Sequence, residues 1–179
     1  LLQRRALTKY HSPGLWTNTC CSHPRPNEIT YDAANRRLKE EMGFECELAY
    51  QFNFVYKAEL DQGLTEHEFD HVFFGMYNGA VNPNAEEVLD YKFVDVQEVL
   101  LDMDANPEKY TVWFKIIFNK VNQIKNGNTI QPKPIIPPSV LITFTVSGIK
   151  KNVFEIKINA AIILVLYISV IYISPNFVI

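Results

Sequence analysis

No disulfide framework is open to this chain. It has three cysteines, two of them adjacent at Cys20 and Cys21, and a bridge between neighbours is strained. A reducing compartment is therefore expected, with the cytoplasm as the localisation. An excess of basic charge is also missing. Seventeen Lys and Arg against 20 Asp and Glu leave a net charge of −3, which removes the electrostatic case for nucleic acid or an anionic membrane as partner. Histidine is scarce, with His11, His23, His67 and His71 the full set. The longest apolar run, Ala160–Ile173, falls short of the roughly 20 residues a bilayer span needs. An initiating Met is absent too. Leu1 opens LLQRRALTK as though a strand were already under way, so the N-terminus is expected to be incomplete and no targeting segment can be judged.

What remains is an ordinary globular composition, 47% apolar and 21% charged over 179 residues, enough for one domain with a sizeable core. LLQRRAL reads as a strand end, and Ser12–Gly14 as a turn. LWTNTCC is rich in β-formers until Pro24 and Pro26 break it. Thr30 or Asp32 can cap a helix from about Ala33 to Met42, which Gly43 can end. Glu47–Ala58, Glu66–Tyr77 and Asp90–Val96 are strand candidates. VQEVLLDM is a short amphipathic helix, and Asn106-Pro107 begins a longer one with Trp113, Ile117 and Val121 on one face. Strands interleaved with helices predict an α/β (α+β) domain over residues 1–126.

At Gly127 the character changes. Four prolines between Pro132 and Pro138 mark 127–139 as a linker. Residues 140–179 form an apolar tail of uncertain origin, and no turn pattern pairs it with the domain. Ala160–Ile173 reads as a membrane helix only with its less apolar flanks, as an aggregation-prone β segment, or as sequence foreign to the native protein.

Two segments carry the chemistry. In WTNTCCSHP, an extended backbone puts Cys21 and His23 on one face and Cys20 on the other. In GLTEHEFDHVFF, Glu66 and Glu68 share a face, with His67 and His71 on the opposite one. A thiol, an imidazole and two carboxylates that converge make a site for metal binding and proton transfer. Cys20 and Cys46 read as small buried hydrophobes, and Asp70 as a strand residue.

Between Ser22 and Phe44 the spacing resembles the Nudix box, with Glu28, Arg36, Leu38, Glu40, Glu41, Gly43 and Phe44 at matching positions. Ser22 stands for the leading glycine, and Arg37 for a metal-ligating glutamate of the hydrolases. That exchange speaks against a Nudix pyrophosphohydrolase. RRALTK, SPGLWTNTCCSHP, RRLKEEMG, GLTEHE and YTVWF together, over Leu1 to Val121, resemble type I isopentenyl-diphosphate Δ-isomerase.

The resemblance implies a Nudix-like α/β/α sandwich with a mixed sheet. It also implies the interconversion of isopentenyl and dimethylallyl diphosphate, with a small-molecule diphosphate as partner. By the same resemblance, Cys21 and Glu68 are the proton-transfer groups on opposite faces of the substrate. Tyr56 supports Glu68, and Trp113 lies over the carbocation. His23, Glu66 and Glu68 are ligands of a tightly bound divalent metal (Mn²⁺, Zn²⁺ or Mg²⁺), and Glu41 is associated with a Mg²⁺ that bridges to the diphosphate. Arg5, Lys9 and Arg37 hold phosphate oxygens. The family draws two further histidine ligands from a segment ahead of the present Leu1. The alternative to an active isomerase is a truncated, catalytically dead Nudix-like domain, membrane-tethered only if the tail is genuine.

Overall fold

Period-two alternation of apolar and polar residues becomes paired strands in the computed structural model. The structure describes residues 1–60, 63–125 and 161–171, with 124–125 and 161–171 as backbone only. Strand β1 (Leu2–Arg5) lies antiparallel between β2 (Trp16–Thr17) and β6 (Val88–Lys92). A second sheet has the order β3-β7-β5-β4. It is built from β3 (Cys20–Ser22), β4 (Leu48–Glu59), β5 (Thr65–Tyr77) and β7 (Ala161–Ile171). The β3–β7 pair is parallel and the others antiparallel, so this sheet is mixed as expected.

Helix α1 (Thr30–Met42) covers one side, packing Ala33, Ala34, Leu38 and Met42 against Leu1, Cys20, Leu48 and Phe73. Helices α2 (Val96–Ala105) and α3 (Val112–Lys125) cover the other, with Val99, Met103, Trp113, Phe114 and Ile117 against Leu2, Phe52, Phe54, Tyr56 and Val72. Neighbours in sequence part company: Leu1 from Leu2, and Phe73 from Val72. That is the signature of strands buried on both faces. The predicted sandwich is present, with its strands divided between two sheets.

One device in β4 decides which face carries the chemistry. Leu48 and Phe52 are both even-numbered, yet Leu48 packs with α1 and Phe52 with α3. The register against β5 shifts between Tyr50, opposite Phe73, and Phe52, opposite Val72. Gln51 is the extra residue, a β-bulge that turns the rest of the strand over. From there Phe52, Phe54 and Tyr56 face α3. Without the bulge they would point at α1.

Several boundaries differ from the sequence reading. Helix α1 begins at Thr30, with Ile29 as N-cap and no side-chain cap, so neither Thr30 nor Asp32 caps it. The extended LWTNTCC run is two short strands in different sheets. Asn18, fully buried, makes the break by donating to Cys20 O at 2.6 Å and accepting from Thr17 Oγ1 at 2.9 Å. Strand β6 ends at Lys92 because Asp95 caps α2, accepting from Gln97 N. The helix expected from Pro107 is a 3₁₀ turn, Pro107–Lys109, followed by an extended Tyr110 bridged to Trp16. Thr111 N then donates to Trp16 O, and Thr111 Oγ1 accepts from Phe114 N at the start of α3. These bonds fix α3, and Trp113 with it, above the mixed sheet.

The tail is also corrected in part. Its Ala161–Ile171 stretch is a strand hydrogen-bonded on both sides, to β3 and to β5, rather than a segment without a partner in the domain. A β-branched run inserted between two strands satisfies its backbone groups on both edges. The linker at 127–139 and the rest of the tail lie outside the described residues. Among the described residues no helix is long and apolar enough to cross a membrane.

Gly43 ends α1 in the left-handed region, φ 73°, and donates to Lys39 O at 3.0 Å. A Cβ there would lie 2.0 Å from Asn82 O, a backbone atom. Gly43→Ala is therefore expected to cost at least about 1–2 kcal/mol, read as a lowered urea midpoint at unchanged m-value. An unchanged midpoint would show that the Asn82 loop yields freely.

Candidate active site

The floor of the site is the paired ends of β4 and β5. Tyr56 lies directly opposite Glu68, and Ala58 opposite Glu66. Residues 66, 68, 70 and 72 share the face that Val72 turns toward α3. The Tyr56 hydroxyl lies 2.7 Å from Glu66 Oε2 and 2.8 Å from Glu68 Oε2. A phenol has one proton to donate. The second contact therefore requires a carboxyl proton or a bound cation. Burial, then the Glu68 charge, pushes Glu66 up to about 7. Burial first, and the carboxylates next, hold Tyr56 firmly as a phenol.

Asp70, fully buried on the same face, has no hydrogen-bond partner for either oxygen among the described residues. Burial and the two glutamates push it up to about 9, so it is neutral at pH 7. His67 is exposed on the other face, and the pocket wall does not include it or His71.

Strand β3, on the far side of β7 in the same sheet, adds a thiol and an imidazole. Cys20 is buried against α1, whereas Cys21 packs toward the α3 side and lines the pocket with His23. The parity argument thus holds in space. Desolvation, then the neighbouring carboxyl groups of Asp70 and Glu68, pushes the Cys21 thiol well up, so it carries its proton at neutral pH. His23 Nε2 is 3.7 Å from Glu68 Oε1. Trp113 closes the pocket from α3, almost wholly buried, with the Arg5 guanidinium 5.2 Å from its ring centroid.

The rim is basic but internally neutralised. Lys9 pairs with Glu87 Oε2, and Arg37 lies 3.2 Å from Glu87 Oε1. Arg37 also donates to Glu41 at 2.6 Å and Glu40 at 2.8 Å. Glu41, buried and raised by that burial, accepts further from Gln3 Nε2 at 3.0 Å. Nine of the ten residues singled out from sequence line one pocket, and Glu41 meets it only through Arg37. Among the described residues, no three His, Cys, Asp or Glu side chains are already gathered as a metal site.

Sequence reasoning missed Tyr10, His11 and Ser22 on the wall and Glu87 behind the rim. Tyr10 and His11 follow Lys9 immediately, so their place beside a basic residue was the available signal. Glu87 had none, since its link to Lys9 spans 78 residues.

Within the Nudix-like box, Glu28 and Arg36 serve the scaffold. Arg36 grips Glu28 with two donors, Nε to Oε1 at 2.6 Å and Nη2 to Oε2 at 2.8 Å, and Glu28 also accepts from Arg25 N at 2.7 Å. This fork ties the Pro24–Ile29 loop to α1 and so anchors the segment that follows His23.

A sequence model of the NUDIX domain matches residues 1–114. The chain is 52% identical over 128 residues to "Isopentenyl-diphosphate Delta-isomerase 2" of Aromatoleum aromaticum, covering 72% of this chain and 68% of that one. It is 48% identical over 121 residues to "Isopentenyl-diphosphate Delta-isomerase" of Pectobacterium atrosepticum, covering 68% of each.

The Glu28 fork has a readable pH dependence. Hydrogen bonds from Arg36 and Arg25 hold its carboxyl down at about 2, from an ordinary 4.5. A depressed carboxylate contributes stability above its unfolded pKa and loses it as pH falls through the folded one. The melting-temperature gap between wild type and Glu28→Gln is expected to be full above pH 4.5 and to close toward pH 2. A gap independent of pH would contradict the role given to the charge.

Proposed function

Because the chain belongs to the NUDIX-domain family, among its isopentenyl-diphosphate Delta-isomerases, we propose that Cys21 and Glu68 are the groups that exchange protons with the substrate. The observation that carries this reading is a thiol from β3 and a carboxylate from β5 lining one pocket, with Trp113 among its lining residues. Isopentenyl diphosphate gains a proton at its terminal methylene, leaving a tertiary cation at the neighbouring carbon. Loss of a proton from the carbon on the other side gives dimethylallyl diphosphate. One group must begin protonated and the other not, and each turnover swaps them, so the reverse reaction restores the start. Tyr56 contacts Glu68 directly and fixes the carboxylate that faces the substrate. Trp113 offers the π-face that a cation favours, and its burial keeps water from trapping the cation.

Arg5, Lys9 and Arg37 are assigned to the diphosphate. Arg37 and Lys9 are held at the rim by Glu87, each on its own oxygen, so two cationic groups stand ready for anionic oxygens. His23, Glu66 and Glu68 fit a divalent metal: the two carboxylates share one sheet face and one phenol, and the His23 imidazole lies 3.7 Å from Glu68 Oε1. When bound, such a metal (Mn²⁺, Zn²⁺ or Mg²⁺) supplies positive charge that holds both carboxylates ionised and in place. Glu41, joined to the pocket through Arg37, is the carboxylate assigned to a Mg²⁺ associated with the diphosphate. The hydrolase reading is weaker, because Arg37 occupies the position of a metal-ligating glutamate and is engaged with Glu40, Glu41 and Glu87.

The test is incubation with isopentenyl diphosphate and Mg²⁺ or Mn²⁺. Dimethylallyl diphosphate is the expected product, whereas release of phosphate or pyrophosphate would favour hydrolysis. An inert, normally folded protein would favour a dead domain. Within active protein, Cys21→Ala is expected to lower kcat by about 10²–10⁴. Cys20→Ala should leave kcat near wild type, since its thiol is buried against α1. Equal losses in the two variants would refute the assignment by face.

A further inference from the structure

Strand β6 lies at the end of the three-stranded sheet, and its outer edge has no strand partner among the described residues. Leu89, Tyr91 and Phe93, the residue after the strand, are 45%, 36% and 49% exposed. They form a row of large apolar side chains on one face. Tyr91 and Phe93 meet edge-on, ring centroids 6.5 Å apart. Asp90 and Lys92 lie on the other face, opposite Arg4 and Leu2 of β1. The Tyr91 N–H donates to its neighbour's carboxylate, Asp90 Oδ1 at 2.8 Å, and not to a strand. Charges on an edge strand ordinarily blunt it against pairing. Blunting accounts for Asp90 and Lys92 but not for the exposed apolar row beside them, whose period of two is matched by another strand.

The sequence of this strand is complementary to itself. Lay a second copy antiparallel along the open edge, with Tyr91 opposite Tyr91. Leu89 of each copy then falls opposite Phe93 of the other, which merges the two apolar rows. On the other face, Asp90 of each copy falls opposite Lys92 of the other. A slip of one residue sets the apolar rows on opposite faces. A slip of two sets Asp90 opposite Asp90 in one direction, and Lys92 opposite Lys92 in the other. Like charges directly opposite are destabilising. The charges therefore select one register, while the apolar row supplies the attraction. In that register the Tyr91 N–H passes to the facing Tyr91 carbonyl, which releases Asp90 to Lys92. The Lys92 ammonium rests over the Trp16 ring, 4.4 Å from its centroid, in a partly exposed contact as modest as the ion pair that replaces it.

We propose that the open edge of β6 is a docking surface for a second copy of this chain, paired antiparallel about Tyr91. The pairing is two-fold symmetric and joins two three-stranded sheets into a continuous one. Glu87 immediately precedes β6 and Arg5 ends β1, so the shared sheet steadies the strands beside each pocket's basic rim. Five-residue strands with one apolar row make a small interface of the transient class, with a Kd on the micromolar scale.

Sedimentation velocity of the full chain across the micromolar range is the first test and needs no variant. A concentration-dependent monomer–dimer equilibrium is expected. Monomer at every concentration overturns the proposal, and is the result if another segment of the same chain covers the edge. Charge exchange tests the surface itself. Asp90→Lys and Lys92→Asp each set like charges opposite one another in the pair, and each is expected to raise the dimer Kd by about tenfold or more. Mixing the two variants restores both ion pairs and with them the wild-type Kd, which also shows that both variants are folded. A dimer that neither exchange weakens belongs to another face of the molecule and overturns the proposal. Weakening in each variant without rescue on mixing refutes the register on which it stands.

Discussion

Antiparallel pairing puts Tyr56 directly opposite Glu68, and their side chains meet at 2.8 Å on the buried face of the sheet. That contact depends on a bulge five residues earlier. Gln51 turns β4 over, so Phe52, Phe54 and Tyr56 face α3 while Leu48 faces α1. A strand has two faces, and a slip of one residue exchanges them. Move the bulge and the phenol would leave the carboxylates, Glu66 and Glu68 would lose their shared donor, and the pocket would have no floor. Hydrogen bonds to a charged group are worth about 1.5–3 kcal/mol net, a modest return for burying two carboxylates. On the proposed metal assignment, the arrangement is better understood as a charge trap that a cation would complete than as a stabilising feature of the fold.

The same logic runs through the rim. Arg37, Lys9 and Glu87 form a partly exposed network in which two bases share one acid. Solvent screens such pairs, and their contribution to stability is small. Their value lies in geometry. Glu87 holds two flexible cationic side chains side by side, which on the proposed assignment to the diphosphate would lower the ordering cost of binding. The Glu28–Arg36 fork does the equivalent for the loop after His23, so part of the Nudix-like box builds scaffold while another part faces the chemistry.

Part of the site was legible because period two and helical spacing are local rules, whereas Tyr56, Arg5, Lys9, Arg37 and Glu41 were singled out only by the family resemblance. Cys21 was separated from Cys20, and Glu68 from His67, by parity alone, and Trp113 stood on an apolar helical face. What stayed hidden was set by contacts distant in sequence or by irregular backbone. The Gln51 bulge leaves no mark in an apolar–polar string, since either half of β4 alternates properly. His11 lies in a loop whose path is set by Arg5 and Ser12. Glu87 reaches the rim across 78 residues. The break at Tyr110 and Thr111 comes from bonds to Trp16 and Thr17, which override a run that reads as continuous helix. The tail strand is paired with β3 and β5 without any turn signal to announce it.

Two separate groups, the proposed thiol on β3 and carboxyl on β5, are the centre of this account. Isomerisation in deuterium oxide, analysed by mass spectrometry of dimethylallyl diphosphate at low conversion, tests it most directly. Both the thiol and the carboxyl exchange with solvent, so the product of a single turnover is expected to carry one deuterium on the carbon that was protonated. Unlabelled product would mean that one shielded group moves the same proton from carbon to carbon, and would contradict the assignment of two separate groups.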